Sequence, residues 1–296
     1  MTVTGGGWTE ISQRFSVHGV ELCWDEWGGE AGEVGEAGEA GDRVPLVLCH
    51  GFTGSAMDFS LQITGLASRR RVVALDLRGH GHSTKTGSLE GYTIAQLADD
   101  LVAFIEMVAG GGPVDLLGHS MGGLVSLTAV LARPDLVRSL ILMDTSAWSF
   151  LPVDEGVRTL VHDYMTAFDP ARGVPTTLSF GGPEEDLITA ATPAEWRAVR
   201  DASFAGMDAY AIKALGMVLM ADGVGSLRDQ LPLITCPVTV VVGSHDHPLV
   251  DQAPELAVAV ADGVLTVIEG AYHSPQLTHG DEWRAAVEGH LARVND

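Results

Sequence analysis

The chain has 296 residues, 46% of them hydrophobic, which is enough to bury a large core as one domain or as a domain with an insertion. Its 17 basic and 39 acidic side chains give a formal net charge of -22 at pH 7. Such a charge repels nucleic acids and anionic membrane surfaces, so we expect neither as a partner.

The N-terminal sequence and the cysteines together indicate a reducing compartment. The first 15 residues, MTVTGGGWTEISQRF, lack a basic start followed by an apolar run, and no later stretch keeps about 18 apolar residues uninterrupted. Cys23, Cys49 and Cys236 are widely spaced in apolar, strand-like contexts, which argues against a disulfide framework. We expect a cytoplasmic protein without a signal peptide, in which Cys49 is a buried strand residue rather than a nucleophile.

Two segments precede the main series of elements. Residues 14–28, RFSVHGVELCWDEWG, alternate apolar and polar positions about His18 and Gly19, which predicts two short paired strands around a tight turn. Residues 29–42, GEAGEVGEAGEAGD, form an imperfect Gly-Glu-Ala repeat with nothing to bury. This repeat predicts a solvated loop rather than a linker between domains.

A regular alternation of apolar runs and helical patterns begins at residue 44. The runs have strand length and several are nearly continuous, as in strands buried on both faces. They cover residues 44–51, 71–83, 114–120, 139–146, 237–246 and 264–270. Helical patterns lie between them, such as residues 93–108 with Thr93 as the N-cap. The alternation predicts an α/β fold, a mostly parallel central sheet flanked by helices, with any site at the carboxyl ends of its strands.

Residues 147–229 interrupt this alternation with helical patterns and no convincing buried strand. We therefore predict a core formed by residues 1–146 and 230–296, with residues 147–229 inserted as a helical lid. Most apolar side chains of such a segment pack the lid itself. A smaller group is expected to line an apolar substrate pocket together with His119, namely Trp148, Phe150 and Met217.

The stretch VDLLGHSMGGLVSLTAV, residues 114–130, places Ser120 between Gly118 and Gly122 where a buried strand gives way to a helix. A serine hydroxyl reacts only when it is held exposed and when a separate base reaches it from another loop. A strained turn can do this if the neighbouring residues lack bulk, and the following helix directs its N-terminal amides at the reacting centre. The pattern therefore predicts that Ser120 is a nucleophile.

In this context GHSMG resembles the nucleophile elbow of the α/β-hydrolase superfamily. The stretch LCHGFTG, residues 48–54, resembles the oxyanion loop of the same family. The resemblance implies that the backbone N–H groups of Phe52 and Met121 bind the oxyanion of a tetrahedral intermediate.

A third stretch, LDLRGHGHS at residues 75–83, resembles the D-x-R-G-x-G-x-S turn of this family. The resemblance implies structural roles, bracing the oxyanion loop, for Asp76, Arg78, His80 and His82. The His-rich stretches RGHGHS and SHDHP contain zinc-ligand types, but neither forms a complete ligand set. No glycine-rich phosphate loop is recognisable either, so we expect no metal and no organic cofactor.

The family places its acid after a late strand and its base after the last one. Asp246, in VVVGSHDHP, and His273, in VIEGAYHSPQLTH, occupy these places, and the order Ser120, Asp246, His273 is that of the superfamily. Asp144, at the end of the strand that follows the nucleophile helix, is the alternative acid. His119 is expected to pack or to line the pocket rather than to transfer protons. His279 and His290 fall in or near the final helix and are expected on the surface.

A serine at the elbow, rather than the carboxylate of relatives that act on haloalkanes or epoxides, favours acyl-enzyme chemistry. The leading expectation is hydrolysis of a carboxylic ester whose substrate is a small molecule with an apolar portion. The fold alone names no substrate. A C–C bond hydrolase, a lactonase and a lyase like those of menaquinone biosynthesis remain alternatives, and so does a non-catalytic ligand-binding receptor. The sequence does not indicate an oligomeric state.

Overall fold

A computed structural model describes residues 13–28, 44–151, 154–175, 182–220 and 226–295, and within them eight strands form one sheet. The strands are β1 (Gln13–Val17), β2 (Val20–Trp27), β3 (Leu46–Cys49), β4 (Val72–Asp76), β5 (Val114–His119), β6 (Val137–Met143), β7 (Val238–Gly243) and β8 (Gly263–Ile268). Their spatial order is β1-β2-β4-β3-β5-β6-β7-β8. Strand β2 is antiparallel to β1 and β4, and the other neighbouring pairs are parallel. The predicted Gly-Glu-Ala loop, residues 29–42, lies outside the described residues.

The antiparallel edge begins with the predicted hairpin, in which Val17 pairs with Val20. Its turn residues His18 and Gly19 have positive φ angles of 48° and 78°. Two successive residues with positive φ form the turn whose twist matches that of the flanking strands. The predicted tight turn is therefore confirmed at the predicted position.

The parallel strands are apolar along their whole length because both faces of the sheet are covered. In β3, Val47 and Cys49 join the core cluster on one face, whereas Leu46 and Leu48 join the cluster on the other. Successive side chains of a strand point to opposite faces, so a strand buried twice needs a continuous apolar run. The predicted mostly parallel sheet flanked by helices is confirmed.

Ten α-helices lie in the described part of the chain. They are α1 (Ile63–Ala67), α2 (Ile94–Ala109), α3 (Met121–Ala132), α4 (Glu155–Ala167), α5 (Pro183–Ala191), α6 (Ala194–Ala205), α7 (Ala209–Met220), α8 (Leu249–Ala259), α9 (Pro275–Thr278) and α10 (Gly280–Arg293). Apolar residues of α2, α3 and α8 pack into one core cluster, and those of α1 and α10 pack into the other. Thr93 caps α2 by accepting a hydrogen bond from the Gln96 N–H, as the sequence predicts.

Four helices, α4 to α7, stand between β6 and β7, where the sequence predicts the inserted lid. Polar contacts tie this segment to the sheet-bearing part of the chain. The Tyr92 hydroxyl donates to Asp208 Oδ2 at 2.6 Å, and Trp196 Nε1 donates to Ser60 Oγ at 3.0 Å. The division of the chain into a core and a lid domain stays a prediction.

The side chain of His290 does not lie on the surface, and that prediction is wrong. It is buried where α10 packs against the sheet, with its Nδ1 2.8 Å from Thr239 Oγ1 on β7. Cys23, Cys49 and Cys236 are free thiols. Burial raises the pKa of Cys49 to about 12, so its thiol stays protonated, as a structural role requires.

The described residues contain no single helix that is long and apolar enough to cross a membrane. Helices α6 and α7 reach that length and apolarity only as a pair, and the pair is bent by 88°.

Candidate active site

Ser120 lies at the carboxyl end of β5, immediately before α3, with φ 53° and ψ -120°. This backbone conformation costs a serine about 1–3 kcal/mol and persists only when its surroundings enforce it. Hydrogen bonds of its main-chain N–H and carbonyl groups do so. The Ser120 N–H donates to the Met143 carbonyl at 2.9 Å, while the Ser120 carbonyl accepts from Thr145 Oγ1 at 2.6 Å and from the Gly123 N–H at 2.9 Å.

The glycines on either side of Ser120 allow the strand, the helix and the loop after β3 to approach closely. A Cβ atom on Gly118 would lie 2.4 Å from the carbonyl oxygen of Gly122. One on Gly122 would lie 2.3 Å from the carbonyl oxygen of Cys49. Real Cβ contacts are never this short, so a side chain at either position would push the elbow away from β3.

The structure brings Ser120, His273 and Asp246 together from three different loops. Asp246 follows β7 and His273 follows β8. The Ser120 hydroxyl lies 2.9 Å from His273 Nε2, and His273 Nδ1 lies 2.9 Å from Asp246 Oδ2. With Nδ1–H donating to the carboxylate, Nε2 is free to accept the serine proton.

The electrostatics of the three groups suit proton transfer. Burial alone would lower the pKa of His273, but the charge and hydrogen bond of Asp246 outweigh it, so this pKa is raised above 6.5. Burial likewise opposes ionisation of Asp246, yet the charge and hydrogen bond of His273 hold its pKa below the usual 3.8. The carboxylate therefore stays ionised, and it is placed to stabilise an imidazolium if His273 takes a proton.

Asp144, the alternative acid, lies after β6 and is fully buried. Its Oδ1 accepts a hydrogen bond from the Gly243 N–H at 2.8 Å. The described residues give it no hydrogen bond to His273, whose ring nitrogens face Asp246 and Ser120. The geometry thus places Asp246, not Asp144, beside the imidazole.

The loop after β3 lies beside Ser120, as the oxyanion role predicted for Phe52 and Met121 requires. A Cβ on Gly51 would lie 3.2 Å from Ser120 Cβ. Met121 opens α3 and has no preceding helical turn to bond. In the described part of the chain, the Phe52 N–H also donates to no carbonyl or side-chain acceptor. Both amides are therefore available to a ligand.

The turn after β4 holds that loop from behind. Asp76 Oδ1 accepts from the Ala56 N–H at 2.8 Å, and His80 Nε2 lies 2.6 Å from the Phe52 carbonyl oxygen. Arg78 forms a two-pronged ion pair with buried Asp100, with N···O distances of 2.6 and 2.7 Å. The side chain of His82 is half-exposed beside Asp76. These contacts match the structural roles that the sequence predicts for the turn.

A cavity of about 500 Å³ opens in front of Ser120, a volume within the range of small-molecule sites. Of the residues predicted to line it, His119 and Phe150 do so. Trp148 and Met217 lie outside its wall. The Trp148 ring packs 4.1 Å beneath the Arg228 guanidinium instead, and the α7 part of the wall is formed by Leu219 and Met220.

Other wall residues come mainly from the inserted helices and from the segment after β3, and most of them were not among the residues predicted to line the cavity. They are Thr53, Asp58, Leu160, Val161, Tyr164, Met165, Arg200, Leu219 and Met220. On α4, Leu160, Val161 and Tyr164 are spaced by one, three and four residues and so share one helical face. The spacing indicates that these three residues lie on one side of α4, but the sequence does not show which side of the helix faces the cavity, because that depends on packing. Arg200 is a cation in a wall that is otherwise largely apolar.

The described residues contain no group of three or more His, Cys, Asp or Glu side chains placed to hold a metal ion. His80 and His119 are engaged by carbonyl oxygens, and His247 Nδ1 lies 2.8 Å from Asp251 at the surface.

Comparison with known proteins relates this arrangement to a family. A family model described as alpha/beta hydrolase fold matches residues 44–280. The structure of a hydrolase from Pseudomonas aeruginosa superposes with a TM-score of 0.74 and 23% identity, covering 96% of this chain and 98% of that one. The family match confirms the resemblance that the three motifs carry.

Two relatives are similar over most of their length. The (E)-2-((N-methylformamido)methylene)succinate hydrolase of Acinetobacter baylyi is 28% identical over 254 residues, which is 83% of this chain and 90% of that protein. The pimeloyl-(acyl-carrier protein) methyl ester esterase of Aeromonas hydrophila is 30% identical over 253 residues, covering 82% of this chain and 93% of that protein. A third match covers only 32% of its relative, the dihydrolipoyllysine-residue acetyltransferase component of the acetoin cleaving system of Pseudomonas putida, at 38% identity over 44% of this chain.

Proposed function

The chain belongs to the α/β hydrolase fold family, and from this premise we propose that it is a serine hydrolase that cleaves a carboxylic ester through an acyl-enzyme intermediate. The observation that carries the proposal is the continuous hydrogen-bonded series from Ser120 through His273 to Asp246. Each group has the geometry and the charge that its role demands.

In the proposed acylation step, His273 Nε2 removes the hydroxyl proton of Ser120 as Oγ attacks the ester carbonyl carbon. The carbonyl oxygen becomes an oxyanion that accepts hydrogen bonds from the Phe52 and Met121 amides. His273 then returns the proton to the departing alkoxide, which leaves as the alcohol. The acyl group remains on Ser120.

Deacylation repeats this proton transfer with water. His273 removes a proton from a water molecule whose oxygen attacks the acyl carbon, and the second tetrahedral intermediate collapses with return of the proton to Ser120 Oγ. The products are the free carboxylic acid and the resting enzyme. Asp246 stays ionised throughout and keeps the imidazole in the required tautomer and orientation.

The cavity supports a substrate of medium size with an apolar portion. Its walls are largely aliphatic and aromatic, and helices α4, α6 and α7 supply one side of it. In this role the inserted helices act as a lid that removes the acyl or alcohol part of the ester from water. The relative named as a methyl ester esterase agrees with an ester substrate.

A second candidate is hydrolysis of an (acylaminomethylene)succinate. Two relatives with 85% or more of their length covered are named as hydrolases of such compounds. Arg200 in the cavity wall is a cation of the kind that binds a carboxylate. The same series of Ser120, His273 and Asp246 would serve this reaction.

We would test the proposal with p-nitrophenyl esters of increasing acyl length, comparing the wild type, Ser120→Ala and Ser68→Ala. Ser68 is a serine at the end of α1 whose hydroxyl only donates to the Gly65 carbonyl, so its loss controls for handling and folding. We expect Ser120→Ala to lower turnover by about 10³-fold or more and Ser68→Ala to leave it unchanged. A folded wild type that hydrolyses (acylaminomethylene)succinates but no simple ester would favour the second candidate, and turnover that survives in Ser120→Ala would refute both.

A further inference from the structure

The carboxyl group of Asp144 has a place in the site that the three-residue mechanism does not use. Asp144 follows β6 with a positive φ of 45°, and its N–H donates to the Val241 carbonyl at 2.9 Å. Its Oδ1 accepts from the Gly243 N–H at 2.8 Å, three residues before Asp246. The Asp246 N–H in turn donates to the Gly243 carbonyl at 3.1 Å. One end of the Asp144 carboxyl therefore anchors the turn that carries Asp246.

The other carboxyl oxygen, Oδ2, is fully buried and receives no hydrogen bond from any N–H or O–H donor of the described residues. The turn that Oδ1 anchors carries Asp246 and brings its carboxyl group close enough to that of Asp144 for the two to share a hydrogen bond. Two ionised carboxylates cannot lie this close in a buried site, because two negative charges then repel each other with no proton between them. One proton between them turns the repulsion into a hydrogen bond.

We propose that Asp144 is a neutral carboxylic acid whose Oδ2–H donates to the Asp246 carboxylate and so positions Asp246 against His273. Its role as a positioning residue rests on the proposed function, because it acts through Asp246. The pair carries a single negative charge, held on the residue that faces the imidazole.

The electrostatic surroundings place the proton on Asp144 rather than on Asp246. Burial raises the pKa of Asp144 well above 3.8, and the negative charges of Asp246 and Glu184 raise it further. Asp246 faces His273 and, at longer range, His119, and the imidazole of His273 holds the Asp246 pKa down. The shared proton thus belongs to the carboxyl that has no cationic neighbour.

Substitution by Asn distinguishes a neutral from an ionised Asp144. An Asn side chain keeps both hydrogen bonds, since its oxygen accepts from the Gly243 N–H and its NH₂ donates to Asp246. Asp144→Ala removes both. If Asp144 is neutral, Asn is an isosteric replacement; if it is ionised, Asn deletes a charge close to His273.

The readout is the rate at which a fluorophosphonate probe labels Ser120 as a function of pH, which needs no natural substrate. We expect Asp144→Ala to label about tenfold more slowly and Asp144→Asn to recover most of that loss. We also expect the pH midpoint of labelling in Asp144→Asn to equal that of the wild type. A midpoint lowered by half a pH unit or more, about 0.7 kcal/mol, would show a lost charge and overturn the proposal.

Two further measurements do not depend on catalysis. Infrared spectra at neutral pH should show the carbonyl band of a protonated carboxylic acid in the wild type and its loss in Asp144→Asn. A folded-state pKa raised above the unfolded value makes the wild type less stable as pH rises past about 3.8, so the Tm advantage of Asp144→Asn should grow from pH 4 to pH 8. Absence of both signals would overturn the proposal even if Ser120 reacts. If Ser120 is never labelled, the proposed function fails, while the band and the Tm shift still decide the protonation state of Asp144.

Discussion

The Nε2–H of His119 donates a hydrogen bond to the main-chain carbonyl oxygen of His273, with an N···O distance of 2.8 Å. The two rings lie 5.0 Å apart, and His119 Nδ1 is buried with no partner among the described residues. Burial, reinforced by the charge of His273, lowers the pKa of His119 to about 3. His119 is therefore neutral at physiological pH, and its single ring proton ties the loop of the proposed base to the elbow of the proposed nucleophile.

From this contact we expect His119 to position the His273 loop through its Nε2–H, and we expect a side-chain amide to be able to make the same hydrogen bond. The Nε2 of a Gln lies close to where His119 has its Nε2–H, so His119→Gln should keep kcat within about threefold of the wild type. His119→Leu fills similar space without a donor, and we expect it to lower kcat about tenfold with little change in Tm. Equal kcat values in the two variants would show that the hydrogen bond to His273 does not matter.

The pH dependence of kcat/KM should reveal His273 as the base. The reaction needs neutral imidazole, so activity should rise with pH through the His273 pKa, with a midpoint above the ordinary 6.5 because Asp246 stabilises the charged ring. Asp246→Asn removes the cause of that shift and disturbs the tautomer. We expect it to cut kcat/KM by about 10³–10⁴-fold and to move the midpoint downward. A wild-type midpoint at or below 6.5 would contradict this account.

The hydrogen bond from Thr145 helps to hold the strained backbone of Ser120, so we expect its removal to lower both stability and activity. Its hydroxyl donates to the Ser120 carbonyl at 2.6 Å, so Thr145→Val removes that bond at nearly constant volume. We expect a loss of about 1–2 kcal/mol of unfolding free energy together with a reduced kcat. Thr128→Val is the matched control, because the Thr128 hydroxyl makes a similar 2.9 Å bond to the Leu124 carbonyl within α3, away from Ser120. If both variants lose stability but neither loses kcat, the bond to Ser120 is merely structural.

Gly122 in the elbow should not tolerate a side chain, and Gly289 provides a control position at which an added side chain meets no neighbour. An alanine Cβ at Gly122 would clash with the Cys49 and His50 carbonyl oxygens, so Gly122→Ala should cost about 3 kcal/mol or more. Gly289 is in the middle of α10 and has no heavy atom within 4 Å of an added Cβ. There, Ala should raise the unfolding free energy by about 0.5–1 kcal/mol. Chemical denaturation of both variants measures the contrast, and a Gly122→Ala protein as stable as the wild type would disprove the clash.

Much of the fold could be predicted from the sequence because its signals are local. Continuous apolar runs such as residues 114–119 predict strands covered on both faces, and the strand-helix alternation predicts parallel pairing. The surface placement of His290 failed for a physical reason. The sequence of an amphipathic helix does not show which groups of a neighbouring element its polar residues will contact. Here the buried His290 ring is hydrogen-bonded to the Thr239 hydroxyl on β7.

For the candidate site, too, some features could be predicted from the sequence and others depend on tertiary packing. The sequence by itself determined the residue types and their order, with Ser120 in a glycine-flanked turn, Asp246 after a late strand and His273 after the last one, because each role needs a particular side chain at a strand end. Only the tertiary structure decided which residues meet. Three features depend on contacts between segments far apart in the chain. Asp246 rather than Asp144 lies beside the His273 ring, His119 is hydrogen-bonded to the His273 carbonyl, and residues of α4 and α7 rather than Trp148 and Met217 line the cavity. Such contacts are set by how whole elements pack, which no local pattern encodes.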